Sequence, residues 1–348
     1  MRIGRLRIGF VATALLLSCQ IGVPGVPPAP GADATGFRLP ALHADPDPVL
    51  GGRIADAFDR TVLLRGVNVN AHVEYWAYDP ARFTTYPFTD ADAEAIAAFG
   101  WNAVRLLLSW SRVEPEPGVY DEAYLDEIEA AILVLQSHGI YAIVDLHQDA
   151  WGATLAAPPD QTCGRGQRPA FGWDGAPGWA TLDGGASRCA AGEREFTPAV
   201  IQSFQSFWAD APGPGGVGIR TRYAAMLGHV AGRLGRHDAV AGYDVMNEPN
   251  AFSLIAGQLA GLTALYAQVV PAIRAGEDAA GVPHRLIFFE PSITWGTMPA
   301  TADPFTDDTQ IVYAPHIYQG GLDSIPLDAV PFDRAWNESV ELLSLIHI

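Results

Sequence analysis

Six times between residues 50 and 316 a short apolar run closes on polar or ionisable side chains, and helical patterns separate most of these runs. Runs of this kind lack the alternation of a half-wet strand, so both faces are buried, as in a parallel sheet covered by helices. The alternation of strand and helix predicts an α/β fold, and its spacing suits a (β/α)8 barrel, which takes about 250 residues and eight strands. Six runs are legible: a first ending at Gly66-Val67-Asn68, then 102–108, 140–146, 239–244, 285–290 and 310–316. Chemistry in such barrels sits at the C-terminal strand ends. Asp244-Val245-Met246-Asn247-Glu248-Pro249, directly after the fourth run, is therefore the sharpest candidate.

The helices have recognisable ends. Thr89 caps a helix that stops at Gly100, with Asp90 and Asp92 complementing the dipole of its first turn. Asp121 caps a second, which runs to Gly139 with Tyr124, Ile128, Ile132 and Leu135 on one stripe. Thr197-Pro198 opens a third by N-cap and first-turn proline. Further helices are expected over 219–234, 254–274 and 332–342. Arg53–Asp56 and 61–65 read as the arms of a hairpin, and 150–197 as a long Gly-, Pro- and Trp-rich insertion. Structureless stretches of that length inside a domain are usually functional.

Charge narrows the chemistry. A net charge of −18 would repel nucleic-acid phosphates. All 21 basic residues are Arg, and the absence of Lys removes Schiff-base aldolases, pyridoxal-phosphate enzymes and P-loop kinases. No metal site is expected: His147 and Asp149 share a strand face, but no third ligand stands out. No cofactor is called for.

Arg2, Arg5 and Arg7 precede an apolar run over 8–17, too short for the roughly 20 residues that span a bilayer and suited to an export signal. Leu16-Leu17-Ser18-Cys19 leaves two readings open, a lipidated Cys19 that tethers the protein to a membrane or ordinary cleavage over 1–19. Residues 20–49 read as a Pro/Gly/Ala-rich linker. Cys163 and Cys189 bracket part of the insertion; an exported chain permits a disulfide, and two buried thiols are the alternative. The catalytic domain is expected over 50–342. The last six residues, 343–348, match a reading frame of a transposon adapter used in sequencing libraries and are expected to be a non-native tail on a truncated barrel, with a genuine strand over 346–348 as the alternative.

Taken together, Asn102-Ala103-Val104-Arg105-Leu106, Asp145-Leu146-His147, Asn247-Glu248-Pro249 and Pro315-His316-Ile317-Tyr318 resemble glycoside hydrolase family 5 of the retaining (β/α)8 glycosidases. Val119-Tyr120-Asp121, His147-Gln148-Asp149, Gly175-Ala176-Pro177-Gly178-Trp179-Ala180 and Phe207-Trp208 with Gly215-Gly216-Val217-Gly218 resemble its endoglycoceramidase-type members, which split an oligosaccharide from ceramide. Asn70-Ala71-His72 departs from them where they place a Lys. The resemblance implies an enzyme acting on a carbohydrate or glycolipid; the N-terminal segment separately suggests a secreted or cell-surface protein, and a monomer is expected.

It also implies roles. Glu248 would be the acid/base, with its pKa raised by burial and a neighbouring carboxylate. Asn247 would bind the sugar 2-hydroxyl, and Arg105 would hold the nucleophile, with a structural ion pair as its alternative. His147 and Asp149 would bind hydroxyls, His147 otherwise being a satisfied core histidine. Trp179 would offer a stacking face, and His316 and Tyr318 would line the cleavage subsite. Glu290 is either a substrate contact or a structural acceptor. The family's nucleophile belongs to a seventh strand that is not legible, so this chain is expected to be inactive. An endo-β-glucanase and a carbohydrate-binding pseudoenzyme are the competing readings.

Overall fold

The computed structural model describes residues 38–47, 52–74, 85–251, 257–295 and 306–316, with the backbone of 346–347. These fall within one compact unit spanning Phe37–Ile348. The strands are β1 (Leu42–Asp45), β2 (Arg53–Asp56), β3 (Gly66–Val69), β4 (Ala103–Leu108), β5 (Tyr141–Leu146), β6 (Arg168–Pro169), β7 (Cys189–Ala190), β8 (Val240–Asp244), β9 (Leu286–Phe289), β10 (Ile311–Tyr313) and β11 (Ile346–His347). The helices are α1 (Asp90–Ala98), α2 (Trp110–Val113), α3 (Glu122–Ser137), α4 (Pro198–Trp208), α5 (Ile219–Leu234) and α6 (Gln258–Ala280).

One sheet carries the fold, in the order β3, β4, β5, β8, β9, β10, β11, with every pair parallel. This is the strand sequence of a (β/α)8 barrel, and its first six members are the six runs read from the sequence. β5, β8 and β9 are buried almost throughout, which is why their sequences are continuous apolar runs rather than alternating ones. Close approach of the outer helices requires Gly228 on α5 and Gly276 on α6. A Cβ on Gly276 would come within 1.9 Å of the Gly228 carbonyl oxygen.

The helix signals hold. The hydroxyl and amide of Thr89 both reach Asp92 Oδ2, at 2.6 and 2.8 Å. Asp121 Oδ1 accepts from the Tyr124 amide at 3.0 Å, and Tyr124, Ile128, Ile132 and Leu135 are all buried. α6 is longer than expected, running past Pro271 to Ala280, because its apolar stripe continues through Val269, Val270 and Ile273 to the buried Glu277.

Two expectations at the start of the domain are corrected. The stretch read as linker through 49 contains β1, whose Leu42 and Ala44 point into the core and whose partner is β2. The hairpin expected across 59–60 is present only at its turn: Thr61 bridges Ala55 in antiparallel sense and the Val62 amide donates to the Ile54 carbonyl at 2.9 Å, while 63–65 form no strand. The insertion is ordered by a Cys163–Cys189 disulfide beside the β6–β7 pair. The helix expected over 332–342 and most of 343–348 lie outside the described residues. Among the described residues no helix is long and apolar enough to cross a membrane.

Candidate active site

Strand register sets up the site. Asp145 on β5 pairs directly with Asp244 on β8, which places two carboxylates side by side at the C-terminal end of the sheet. Like charges so placed repel and require a cation between them. Arg105, reaching across from β4, supplies it. Its Nε donates to Asp244 Oδ2 at 2.8 Å, and its Nη1 lies 3.0 Å from Asp145 Oδ2. Nη2 donates to Glu290 Oε1 at 2.8 Å and to Asn247 Oδ1 at 3.0 Å. Burial opposes the guanidinium charge, but the three carboxylates more than restore it, and Arg105 is held firmly protonated.

Arg105 is thus the hub of a buried ion network. Asp244, Glu290 and His316 offer ligand atoms within 4.8 Å of one another, an arrangement that could hold a metal ion, yet the cation among them is this guanidinium.

Glu248 follows β8 by four residues and has a left-handed backbone, φ 42°. For a side chain other than glycine such a conformation costs about 1–3 kcal/mol and persists only where neighbours hold it. Here the Glu248 amide donates to Glu290 Oε2 at 2.7 Å. Gln148 Nε2 donates to the carbonyls of Asn247 and Glu248, at 2.7 and 3.1 Å. The carboxyl so presented meets His316, whose Nδ1 is 2.9 Å from Glu248 Oε1 and whose Nε2 is 2.9 Å from Glu290 Oε1. Burial works against charge on His316, but Glu290 and Glu248 together push it up to about 11.

The other expected residues divide into those at the mouth and those that support it. Asn247 is buried, its amide turned by Arg105 and by the Gln148 carbonyl, which accepts from Nδ2 at 3.0 Å. His147 has its Nδ1 2.7 Å from Asp145 Oδ2 and its Nε2 3.4 Å from Asp149 Oδ2. Burial would lower its pKa, yet these carboxylates raise it to about 9, so His147 is an imidazolium strut that holds Asp149. Asp149 itself lines a recess with Glu248.

Glu290 is buried, with Oε1 on Arg105 and His316 and Oε2 on the Glu248 amide, so it serves as a structural acceptor. Burial and the Asp244 charge raise its pKa against the pull of His316 and Arg105. Trp179, expected as a stacking face, instead packs edge-on against Trp110 at 5.3 Å and donates its indole N–H to the Glu114 carbonyl. It anchors the insertion to the end of α2. Tyr318 lies outside the described residues.

Sequence reading missed Asp145, Asp244 and Gln148. A signal was present for the first: Asp145, His147 and Asp149 stand two apart, and alternate residues of a strand share a face. Nothing local marked Glu195 and Asn250, which share the recess of Asp149 and Glu248.

The family model described as Cellulase (glycosyl hydrolase family 5) matches residues 55–326. Endoglycoceramidase I of Rhodococcus hoagii (strain 103S) is 28% identical over 302 residues, covering 80% of this chain and 53% of that protein. The chain therefore spans about half the length of that curated relative. A crystal structure of endogalactoceramidase superimposes with a TM-score of 0.79 at 33% identity, covering 89% of this chain and 67% of the other. Endo-glycoceramidase II from Rhodococcus sp., solved with ganglioside GM3, gives 0.64 at 28% identity, with 85% and 68% covered. On the family match, which takes in every strand-end group described above, the chain belongs to glycosyl hydrolase family 5.

Proposed function

We propose that the protein splits the β-glycosidic bond of a glycolipid by a retaining mechanism in which Glu248 is the acid/base. The observation that carries this is the strained presentation of Glu248 at the C-terminal end of a parallel sheet, with its carboxyl on His316 and its recess shared with Asp149. In such a reaction one carboxylic acid gives its proton to the glycosidic oxygen while a carboxylate about 5–5.5 Å away attacks the anomeric carbon. The acid, now ionised, then takes a proton from the water that releases the sugar. Asn247 would meet the 2-hydroxyl, and Asp149 a second hydroxyl. Similarity to endoglycoceramidases supports the glycolipid as substrate class.

Among the described residues Glu290 is not offered as the attacking carboxylate, because both its oxygens are engaged. We accordingly propose that these 348 residues bind substrate and do not turn it over unaided. The test is release of ceramide from a fluorescent short-chain lactosylceramide: binding without release is expected. Release that disappears in Glu248→Gln would refute the proposed inactivity while supporting the role of Glu248.

We also propose an exported monomer, tethered by lipid at Cys19. The Cys163–Cys189 disulfide suits an oxidising compartment. Mass spectrometry of the mature N-terminus distinguishes a lipidated Cys19 from ordinary cleavage, and light scattering measures the oligomeric state.

A further inference from the structure

Among the described residues five side chains other than glycine stand on a left-handed backbone. Three of them, Ala150 (φ 54°), Trp151 (φ 77°) and Glu248 (φ 42°), belong to two turns that meet at one side chain, Gln148. Backbone of this kind persists only where its surroundings hold it, and a single amide holds both turns. Gln148 Oε1 accepts from the Trp151 amide at 2.8 Å. Its Nε2 donates to the Asn247 carbonyl at 2.7 Å and to the Glu248 carbonyl at 3.1 Å. The partners fix which end of the amide is which, because carbonyls only accept and a backbone N–H only donates.

Both Nε2 hydrogens are thereby used, and Gln148 is 7% exposed, so the group acts through Glu248 and not on a substrate. The exchange with Asn247 is reciprocal, since Asn247 Nδ2 donates to the Gln148 carbonyl at 3.0 Å. The two residues lace the ends of β5 and β8 together beyond Asp145 and Asp244, the last paired residues of those strands. At its other end the amide is tied to the insertion. The Trp151 carbonyl accepts from the Ala176 amide at 2.7 Å, and the Trp151 ring packs edge-on against Phe204 at 5.0 Å. Gly175 comes so close that a Cβ there would stand 2.2 Å from the Trp151 carbonyl oxygen and 3.2 Å from Gln148 Cβ.

We propose that Gln148 is the positioning residue of the general acid: it takes its bearing from Trp151, an anchor of the insertion, and imposes it on the Asn247–Glu248 peptide, which aims the Glu248 carboxyl. The proposal rests on the reading of Glu248 as acid/base and adds to it the residue that makes the acid competent. Gln suits the task because one planar group supplies two donors and an acceptor. Glu keeps the acceptor and, when ionised, has no donor; Leu has neither.

The test compares octyl β-lactoside, whose leaving group needs a proton, with 2,4-dinitrophenyl β-lactoside, whose leaving group does not, with azide as the nucleophile and the 348-residue chain as the catalyst. Gln148→Leu should lose octanol release at least about tenfold more than dinitrophenol release, because a misaimed acid fails only where its proton is required. Gln148→Glu has nearly the same shape, keeps the bond to Trp151 and decides the matter where Gln148→Leu does not fold. It should show the selective loss at about pH 8 and recover part of it by about pH 6, where the buried carboxyl regains a proton and can donate to one carbonyl. Equal loss on the two substrates, absence of loss, or a selective loss in Gln148→Glu that pH leaves untouched overturns the positioning role. Failure of the unaltered chain to release either alcohol with azide overturns instead the acid/base reading of Glu248 on which that role rests.

Discussion

His316 and Glu248, from the ends of the sixth and fourth strands of the sheet, meet in a 2.9 Å hydrogen bond, although they stand 68 residues apart in sequence. The same imidazole reaches Glu290 at 2.9 Å, so one side chain sets the spacing of two carboxyl groups. His316→Ala should therefore loosen Glu248 and leave Glu290 dependent on Arg105. Chemical denaturation should register a loss of roughly 2–3 kcal/mol. A loss below about 0.5 kcal/mol, the usual range for surface substitutions, would mean that the imidazole bridges nothing of consequence.

Arg105 should tolerate no replacement. Arg105→Met leaves Asp145, Asp244 and Glu290 without their common cation, and removing one partner of a buried pair costs about 3–5 kcal/mol. Arg105→Lys should recover little, because a compact ammonium cannot reach partners on several sides as the guanidinium fork does. Soluble yield and melting temperature are the readouts, and a well-folded Lys variant would contradict the hub.

Stability should fall as pH rises above neutrality. His147 is raised from 6.5 to about 9 by Asp145 and Asp149 acting against burial. A raised folded-state pKa means that the stabilisation is whole below about 6.5 and fades as pH climbs through about 9. The change is on the order of 3 kcal/mol. Denaturation midpoints measured from pH 6 to 9 should decline, and His147→Gln should make the decline shallower, leaving the share contributed by His316, which is raised to about 11. A midpoint that holds steady or rises across that window would contradict the strut.

The disulfide spans 26 residues of an insertion with little regular structure. Closing a loop of that length is worth about 3 kcal/mol in the chain-entropy model. Cys163→Ser should expose the insertion to limited proteolysis near Arg165 and Arg168 well before the barrel strands are cut. Simultaneous cleavage of insertion and barrel would show that the bridge secures the whole fold rather than this segment.

How far the sequence could be read follows from locality. Thr89 with Asp92, Asp121 with Tyr124, and the apolar runs of β4, β5, β8 and β9 are local patterns, and each produced the element expected. Glu248 was visible because a strand end fixes its direction. What stayed hidden depends on contacts made far away in sequence. Asp145 opposite Asp244 exists only through the pairing of β5 with β8, and that pairing makes Arg105 the shared counter-ion of both. Trp179 read as a platform because its burial against Trp110 depends on where the insertion folds back. The same folding back carries Glu195 to Asn250. β1 was missed for a simpler reason: a four-residue strand whose inward residues are Leu42 and Ala44 gives too brief a pattern to stand out from a Pro-rich neighbourhood.

The proposal that Glu248 protonates the glycosidic oxygen, and that the 348 residues do not turn substrate over unaided, is tested most directly with azide as an external nucleophile. The chain and its Glu248→Ala variant would be given 2,4-dinitrophenyl β-lactoside, whose leaving group needs no proton, and octyl β-lactoside, whose leaving group does. Azide attacking the anomeric carbon should release both alcohols from the unaltered chain and yield the α-glycosyl azide. The variant should retain release of dinitrophenol and lose octanol by at least about 100-fold, the usual contribution of a positioned acid. Turnover without azide, or equal loss on the two substrates in Glu248→Ala, would contradict the account.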